Sequence, residues 1–312
     1  MSCEMTALEL GGVLAVNKPS GMTSHDVVNI VRKIFETKKV GHTGTLDPMA
    51  SGVLVILVGR AVKATEYISS SSKKYRATLR LGLTTDTEDV TGTVLSDSKA
   101  IPPNDSVKKA CEGFVGEIMQ VPPMYSALKV NGQKLVDLAR KGITVEREAR
   151  KITVYSLSCS PTESETDHIL DVHCSGGTYI RTLCADIGNK LGCGGVMATL
   201  ERTEACGFPL EKAISLDELR EYPKDELCSL LIPAEELFND LPIVRFSEFF
   251  EKLCRGGCEI YQAKIGTHIP VGKRVRIYGK NGFFALGEAI SAEECRSPEL
   301  GSAIKAIKFF EL

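Results

Sequence analysis

Blocks of apolar and polar positions mark out the elements of the chain. Residues 12–17, GVLAVN, form a short apolar run that Lys18-Pro19 breaks, as a strand does. In MTSHDVVNIVRKIF, Val27, Ile30, Val31 and Ile34 recur at helical spacing behind Thr23 or Ser24, either of which can cap a helix. Val53 to Val58 is uninterrupted and predicts a buried strand, whereas KKYRATLRLG, Lys73 to Gly82, alternates as a half-buried one does. TTDTEDVTG is a polar turn before a strand at TVLS, and residues 105–119 predict a helix. QVPPMYSALKVNGQKLVDLARKG starts extended at Pro122-Pro123 and turns helical near Lys134. ITVYSLSC and HILDVHCSGGTYIRTLCADIGNKLG read as strand, strand, glycine turn and helix.

Strands and helices mix without βαβ regularity, which predicts an α+β fold. SLLIPAEELFNDLPIV (residues 229–244), with its two prolines, reads as a connection. Beyond it, short strands broken by glycine predict a small β-rich domain or barrel. A length of 312 residues accommodates one large domain, or a large and a small one.

Composition excludes more than it selects. Hydrophobic residues at 43% and charged residues at 25% are ordinary for a soluble globular protein. A net charge of -2 carries no global polybasic signature, though a local basic patch stays open. No apolar segment reaches the roughly 20 residues of a membrane-spanning helix. MSCEMTALELGG lacks the features of a secretion signal or transit peptide. The eleven cysteines are odd in number and scattered, which predicts free thiols in a reducing cytosol. Cys254 and Cys258 have no second pair at zinc spacing, so no metal site is expected.

The stretch GHTGTLDPMASGVLVILVG, residues 41–59, concentrates candidate chemistry. Asp47, with an ordinary carboxylate pKa of about 3.9, is ionised at neutral pH and available as nucleophile, base or metal ligand. The local pattern alone favours a simple Asp-Pro turn. Gly41, Gly44 and Gly52 shift the balance, because glycine lets backbone approach a ligand closely. A lone loop histidine such as His42 is more often a structural hydrogen-bonder than a catalytic group. The Gly-Lys-Ser/Thr of a phosphate loop, the second carboxylate of a glycosidase and the elbow of a serine hydrolase are all missing.

Five windows taken together say more. GVLAVNKPSGMTSHDVV, GHTGTLDPMASGVL, KKYRATLRLGLTTDTEDVTG, VPPMYSALKVNGQKLVDLARKGI and CSGGTYIRTLCADIG occur in this order. They closely resemble the successive motifs of TruB-type tRNA pseudouridine synthases, over roughly residues 11–220. The resemblance implies a pseudouridine-synthase fold: a mixed, mainly antiparallel sheet flanked by helices, across residues 1–235, with an RNA-gripping insertion at about 122–151. The tail, residues 241–312, resembles more loosely a PUA-like RNA-binding domain, best in VRIYGKNGFFALGEA.

The implied reaction detaches uracil from its ribose at N1 and reattaches it through C5, at position 55 in the tRNA T-loop, with no cofactor and no metal. Asp47 matches the family's nucleophile. It could attack C1′ or C6, or remove the C2′ proton. Tyr75 matches the tyrosine that packs on the target uracil and is a candidate for proton transfer at C5. Arg181 would pair with Asp47, and Tyr179 and Leu200 would line the uracil pocket. His42 would engage the flipped-out T-loop nucleotides rather than act as a base. Lys129, Lys134, Arg140, Lys141, Arg147, Arg150 and Lys151 would bind phosphates without reading sequence. Lys18, counted with these RNA-binding residues, also matches a family motif with Pro19 that shapes the strand end near the active loop. Flipping a uridine costs a few kcal/mol and aromatic stacking returns roughly 1–3 kcal/mol per base, which makes RNA loops natural targets. The implied partner is the T-arm of tRNA, with no membrane and no protein partner, for a cytoplasmic monomer. The alternatives are a same-fold RNA-binding or RNA-folding protein, and a synthase acting on another RNA. Intact Asp47, Tyr75 and Arg181 argue against pure binding. The lack of long basic extensions argues against a guide-directed relative.

Overall fold

Six consecutive residues, Val53 to Val58, have no solvent exposure at all, and this strand organises the molecule. The computed structural model describes residues 11–68, 71–130 and 132–310. Most of the N-terminal stretch read for targeting features, and the last two residues of the tail, lie outside the described residues.

Among the described residues the large sheet has ten strands, of which eight form its main path. In chain order these are β1 (Gly12–Lys18), β2 (Ser51–Val58), β3 (Lys73–Leu81), β4 (Gly116–Gln120), β5 (Arg150–Pro161), β6 (Asp167–Cys174), β7 (Gly195–Ala205) and β8 (Ile214–Ser215). Their spatial order is β8-β1-β2-β7-β3-β6-β5-β4. The β8–β1 and β2–β7 pairs are parallel and the others antiparallel, so the sheet is mixed and mainly antiparallel, as expected.

Both faces of β1 and β2 are covered, which is why β2 reads as a continuous apolar run instead of alternating. Leu14, Val16, Leu54 and Ile56 face a core shared with helices α1 (Ser24–Ile34), α2 (Asn104–Glu112) and α3 (Ile180–Leu191). Val13, Ala15, Val53, Val55 and Leu57 face the opposite way, onto Phe238, Leu286 and Phe310. Each fully buried aliphatic side chain contributes about 1.5–3 kcal/mol relative to exposure. Helix α1 starts where its sequence requires. Thr23 accepts from the Asp26 amide at 3.1 Å, and the Asp26 carboxylate accepts from the Thr23 amide at 2.9 Å.

The helix expected over 105–119 stops early. It covers Asn104–Glu112, and residues 116–120 are the edge strand β4. Gly116 turns the chain at φ +106°, and the exposure beyond it alternates with period two. The tail is a five-stranded sheet containing Ile243–Arg245, Arg274–Gly279, Gly282–Ile290 and Ala303–Phe309, around its own core of Val275, Ile277, Phe284 and Ile304. Phe283 and Phe310, ring centroids 5.3 Å apart, carry it onto the back of the large sheet.

Helix α3 lies so close to β7 that a Cβ on Gly188 would come within 2.1 Å of the Gly195 amide nitrogen. Glycine to alanine within a helix ordinarily stabilises by up to about 1 kcal/mol. Gly188→Ala is expected to do the reverse, lowering the unfolding free energy by about 1–3 kcal/mol in chemical denaturation, as overpacking does.

Candidate functional site

Between strand Val40–His42 and β2 the chain makes a tight loop that carries Asp47. Neighbouring segments hold this loop by its backbone. Ser24, at the start of α1, accepts from the Leu46 amide at 2.8 Å and donates to the Leu46 carbonyl at 3.0 Å. Arg202, on β7, is almost wholly buried and donates to the carbonyls of Val53 (2.7 Å), Gly44 (3.1 Å) and Thr45 (3.4 Å).

Lys18 completes the cradle, and here the structure corrects an expectation. Its side chain is fully buried, with Nζ donating to the carbonyls of Met22 (2.7 Å), Pro19 (2.8 Å) and Pro48 (3.4 Å). Burial lowers its pKa to about 8, against the raising effect of Asp47. Its ammonium is enclosed by three carbonyls and is absent from the lining of the neighbouring cleft, so Lys18 braces the loop instead of meeting a phosphate from the surface.

Asp47 projects from this braced loop onto Arg181, the second residue of α3. The guanidinium meets the carboxylate at two points, Nε to Oδ2 at 2.9 Å and Nη2 to Oδ1 at 3.3 Å. Arg181 is itself buried and also donates to the carbonyls of Tyr125 (2.9 Å) and Thr87 (3.2 Å). Asp89 lies behind it, Oδ2 at 3.8 Å from Nη1, fixed by the hydroxyls of Thr87 and Thr91 and by the Thr91 amide. Burial pushes the Asp47 carboxyl above its ordinary value; Arg181 pulls it down and Asp89 pushes it up again. The two-point contact favours the ionised form, and about a third of the Asp47 side chain stays open to solvent.

That opening leads into a cleft of about 450 Å³ lined by Asp47, Tyr75, Tyr179, Arg181 and Leu200. Tyr75 and Leu200 come from the antiparallel neighbours β3 and β7 and are both buried. Burial raises the Tyr75 phenol, and the Arg202 guanidinium beside it opposes that rise. Tyr179 is half-buried, and Gln120 on β4 grips its backbone, accepting from the amide at 2.8 Å and donating to the carbonyl at 3.1 Å. His42 stands apart from the cleft lining, paired with Ile56 at the end of its strand. Burial, and then the Arg202 charge, push its pKa down, which keeps the imidazole neutral at physiological pH.

The basic insertion folds over this opening. Its hairpin sets Lys129 directly opposite Lys134, and Lys134 lines the cleft. Arg140, Lys141 and Arg150 are exposed, and Lys151 pairs with Glu117 at 2.8 Å. Arg147 is partly withdrawn, with Nη1 donating to the Pro122 carbonyl at 3.0 Å and so tying the two ends of the insertion together.

Sequence reasoning did not single out Lys73, Asp89, Gln120, Tyr125 or Arg202 as site residues. A signal existed for Lys73, two residues before Tyr75 on the same inward face of an alternating strand. Asp89 sat inside a segment read only as a polar turn. Gln120 reaches the site from the edge strand β4, and Tyr125 because the insertion folds back onto α3.

Comparison with known proteins adds the family. Residues 32–180 match the N-terminal domain of TruB family pseudouridylate synthases, and residues 181–239 match the tRNA pseudouridylate synthase B C-terminal domain. The tRNA pseudouridine synthase B of Alkaliphilus oremlandii (strain OhILAs) is 43% identical over 280 residues, covering 89% of this chain and 93% of that one. Its namesake from Clostridium perfringens (strain 13 / Type A) is 45% identical over 282 residues, covering 89% and 95%. Among solved structures, a chain in the crystal structure of a Cbf5-Nop10-Gar1 complex aligns with a TM-score of 0.75 at 28% identity, covering 98% of this chain and 87% of that one. With its motifs in order and relatives this similar along most of its length, the chain belongs to the TruB family of pseudouridylate synthases.

Proposed function

We propose that this chain isomerises uridine to pseudouridine in the T-loop of tRNA, at position 55, with the Asp47 carboxylate as nucleophile. One observation carries the reading: a carboxylate held at two points by a buried arginine opens into a cleft walled by Tyr75 and Leu200. The relatives at 43% and 45% identity, named tRNA pseudouridine synthase B, support tRNA as the substrate over the RNAs of guide-directed assemblies.

In this reaction the N1–C1′ bond of uridine breaks, C5 bonds to C1′, the C5 hydrogen leaves as a proton and N1 takes one up, so substrate and product are isomers. Attack at C1′, attack at C6 and removal of the C2′ proton can each begin at Asp47. In every case Arg181 keeps the carboxylate ionised and aimed. Tyr75 and Leu200 pack against the uracil, and Tyr179 borders the same space. The Tyr75 phenol, raised by burial, is protonated at rest, and Arg202 is the group that would stabilise its ionised form during proton transfer at C5. His42, neutral and outside the cleft, contacts neighbouring unstacked nucleotides.

Lys129 and Lys134 oppose like charges across a strand pair, an arrangement that is unfavourable until an anion lies over it. RNA phosphates supply that anion. Residues 1–235 act as the catalytic unit with the gripping insertion at 122–151, and residues 241–312 as an accessory RNA-binding unit. The protein acts as a cytoplasmic monomer; among the described residues no helix is long and apolar enough to cross a membrane.

Tritium release from tRNA labelled at uridine C5 reads the chemistry directly. Wild type is expected to release tritium from a single T-loop uridine. Asp47→Asn is expected to release none while binding tRNA within about tenfold of wild type, or about 1.4 kcal/mol. Release by Asp47→Asn at the wild-type rate would remove the nucleophile from this reading.

Arg181→Lys keeps a charge but loses the fork, and single-turnover rates are expected to fall about 10- to 100-fold. In wild type the rate falls on acidification as Asp47 protonates, with a midpoint above the ordinary 3.8 because burial raises it. A midpoint below 3.8 would contradict the geometry. Neutralising Lys129 and Lys134 together is expected to reduce the slope of log affinity against log salt by about 2. An unchanged slope would make the hairpin a solvated surface.

A further inference from the structure

Five charged side chains line the cleft among the described residues: Asp47, Lys73, Lys134, Arg181 and Arg202. Asp47 is already matched by Arg181. Lys134 is exposed and solvated. Lys73 and Arg202 differ from both. They are buried in the cleft wall, and among the described residues neither forms an ion pair. Arg202 gives three of its five N–H donors to carbonyls. The Lys73 ammonium donates to the Ser71 carbonyl at 2.8 Å, which leaves two further protons for another acceptor.

The two cations converge on one patch of the wall. The point where a Gly44 side chain would begin lies 3.4 Å from Lys73 Cε and 3.8 Å from Arg202 Nη1. Glycine at that position leaves the patch uncovered. Burial lowers the Lys73 pKa, and Arg202 lowers it further against the opposing Cys206 and Cys174 thiols. Burying two cations without a counter-charge is costly, and a site retains them where its ligand supplies the charge.

The reacting base is no such ligand, because uracil is neutral. The anionic groups of RNA are its phosphodiesters. A nucleotide whose C1′ lies against Asp47 carries a phosphodiester on either side of the same sugar. We infer that Lys73 and Arg202 form a buried receptor for one phosphodiester flanking the target uridine, anchoring the flipped nucleotide from its backbone while Tyr75 and Leu200 hold its base. This rests on the uridine-isomerising reading above and adds to it a binding subsite separate from the basic insertion.

The test pairs a change in the protein with a change in the RNA. A T-arm stem-loop RNA is made with a single neutral methylphosphonate either 5′ or 3′ of the target uridine. Wild-type enzyme is expected to lose about tenfold or more in kcat/KM on one of these two RNAs. Lys73→Met is expected to lose a similar factor on unmodified RNA, and then to be indifferent, within about twofold, to that methylphosphonate. Lys73→Arg is expected to retain the wild-type discrimination. Should the Met variant fail to fold, Lys73→Gln carries the same comparison. Equal methylphosphonate penalties in wild type and Lys73→Met would overturn the receptor, as would an active wild type indifferent at both linkages. A wild-type enzyme inactive on the unmodified RNA would bring down the isomerase reading, and the receptor with it.

Discussion

The Arg181 guanidinium is buried and binds three segments that are distant in sequence: the Asp47 loop, the turn that carries the Thr87 carbonyl and the Asp89 carboxylate, and the Tyr125 carbonyl of the insertion. A buried cation demands that its donors be satisfied, so these segments are located together or the charge is stranded. Because Tyr125 belongs to the insertion, the contact that orients the carboxylate also registers the insertion against it. Gln120, just ahead of the insertion, fixes the backbone of Tyr179 two residues from Arg181. The Asp47 carboxylate, the pocket wall and the insertion therefore share one mechanical reference.

Support for that arrangement comes from β1 and β2. With both faces packed, a slip of β2 in register would mispack both layers at once, so the loop at its start is held in place. The tail contributes through Leu286 and Phe310, which cover the face of β2 that the helices leave open. It thereby stabilises the strand that carries the active loop, whatever its own contact with RNA.

Charge is distributed unevenly around the loop. Lys18 spends its charge on backbone carbonyls, and Arg202 gives three of its five donors to them, which stiffens the segment that presents Asp47. Lys18 was read among the RNA contacts, and with Pro19 as part of a family motif that shapes the strand end, but burial decides what a lysine does, and a motif carries no burial. The early end of helix α2 has a similar cause. Its apolar positions were compatible with helix, but Gly113 and Gly116 break it and pairing with β5 stabilises the strand instead.

Local pattern was sufficient for the capped helix at Thr23, the alternating strand at Lys73–Leu81 and the buried run at Val53–Val58, because these depend on short-range periodicity and near-neighbour hydrogen bonds. Ordered motifs were sufficient to bring forward Asp47, Tyr75, Tyr179, Arg181 and Leu200, all of which border the same cleft. The convergence of Lys73 with Arg202, Gln120 with Tyr179, and Tyr125 with Arg181 was decided only in three dimensions. Each depends on contacts between segments 59, 56 or more residues apart. Such contacts leave no periodic trace in the chain, because they are imposed by sheet order and by the folding back of the insertion, not by the residues beside them.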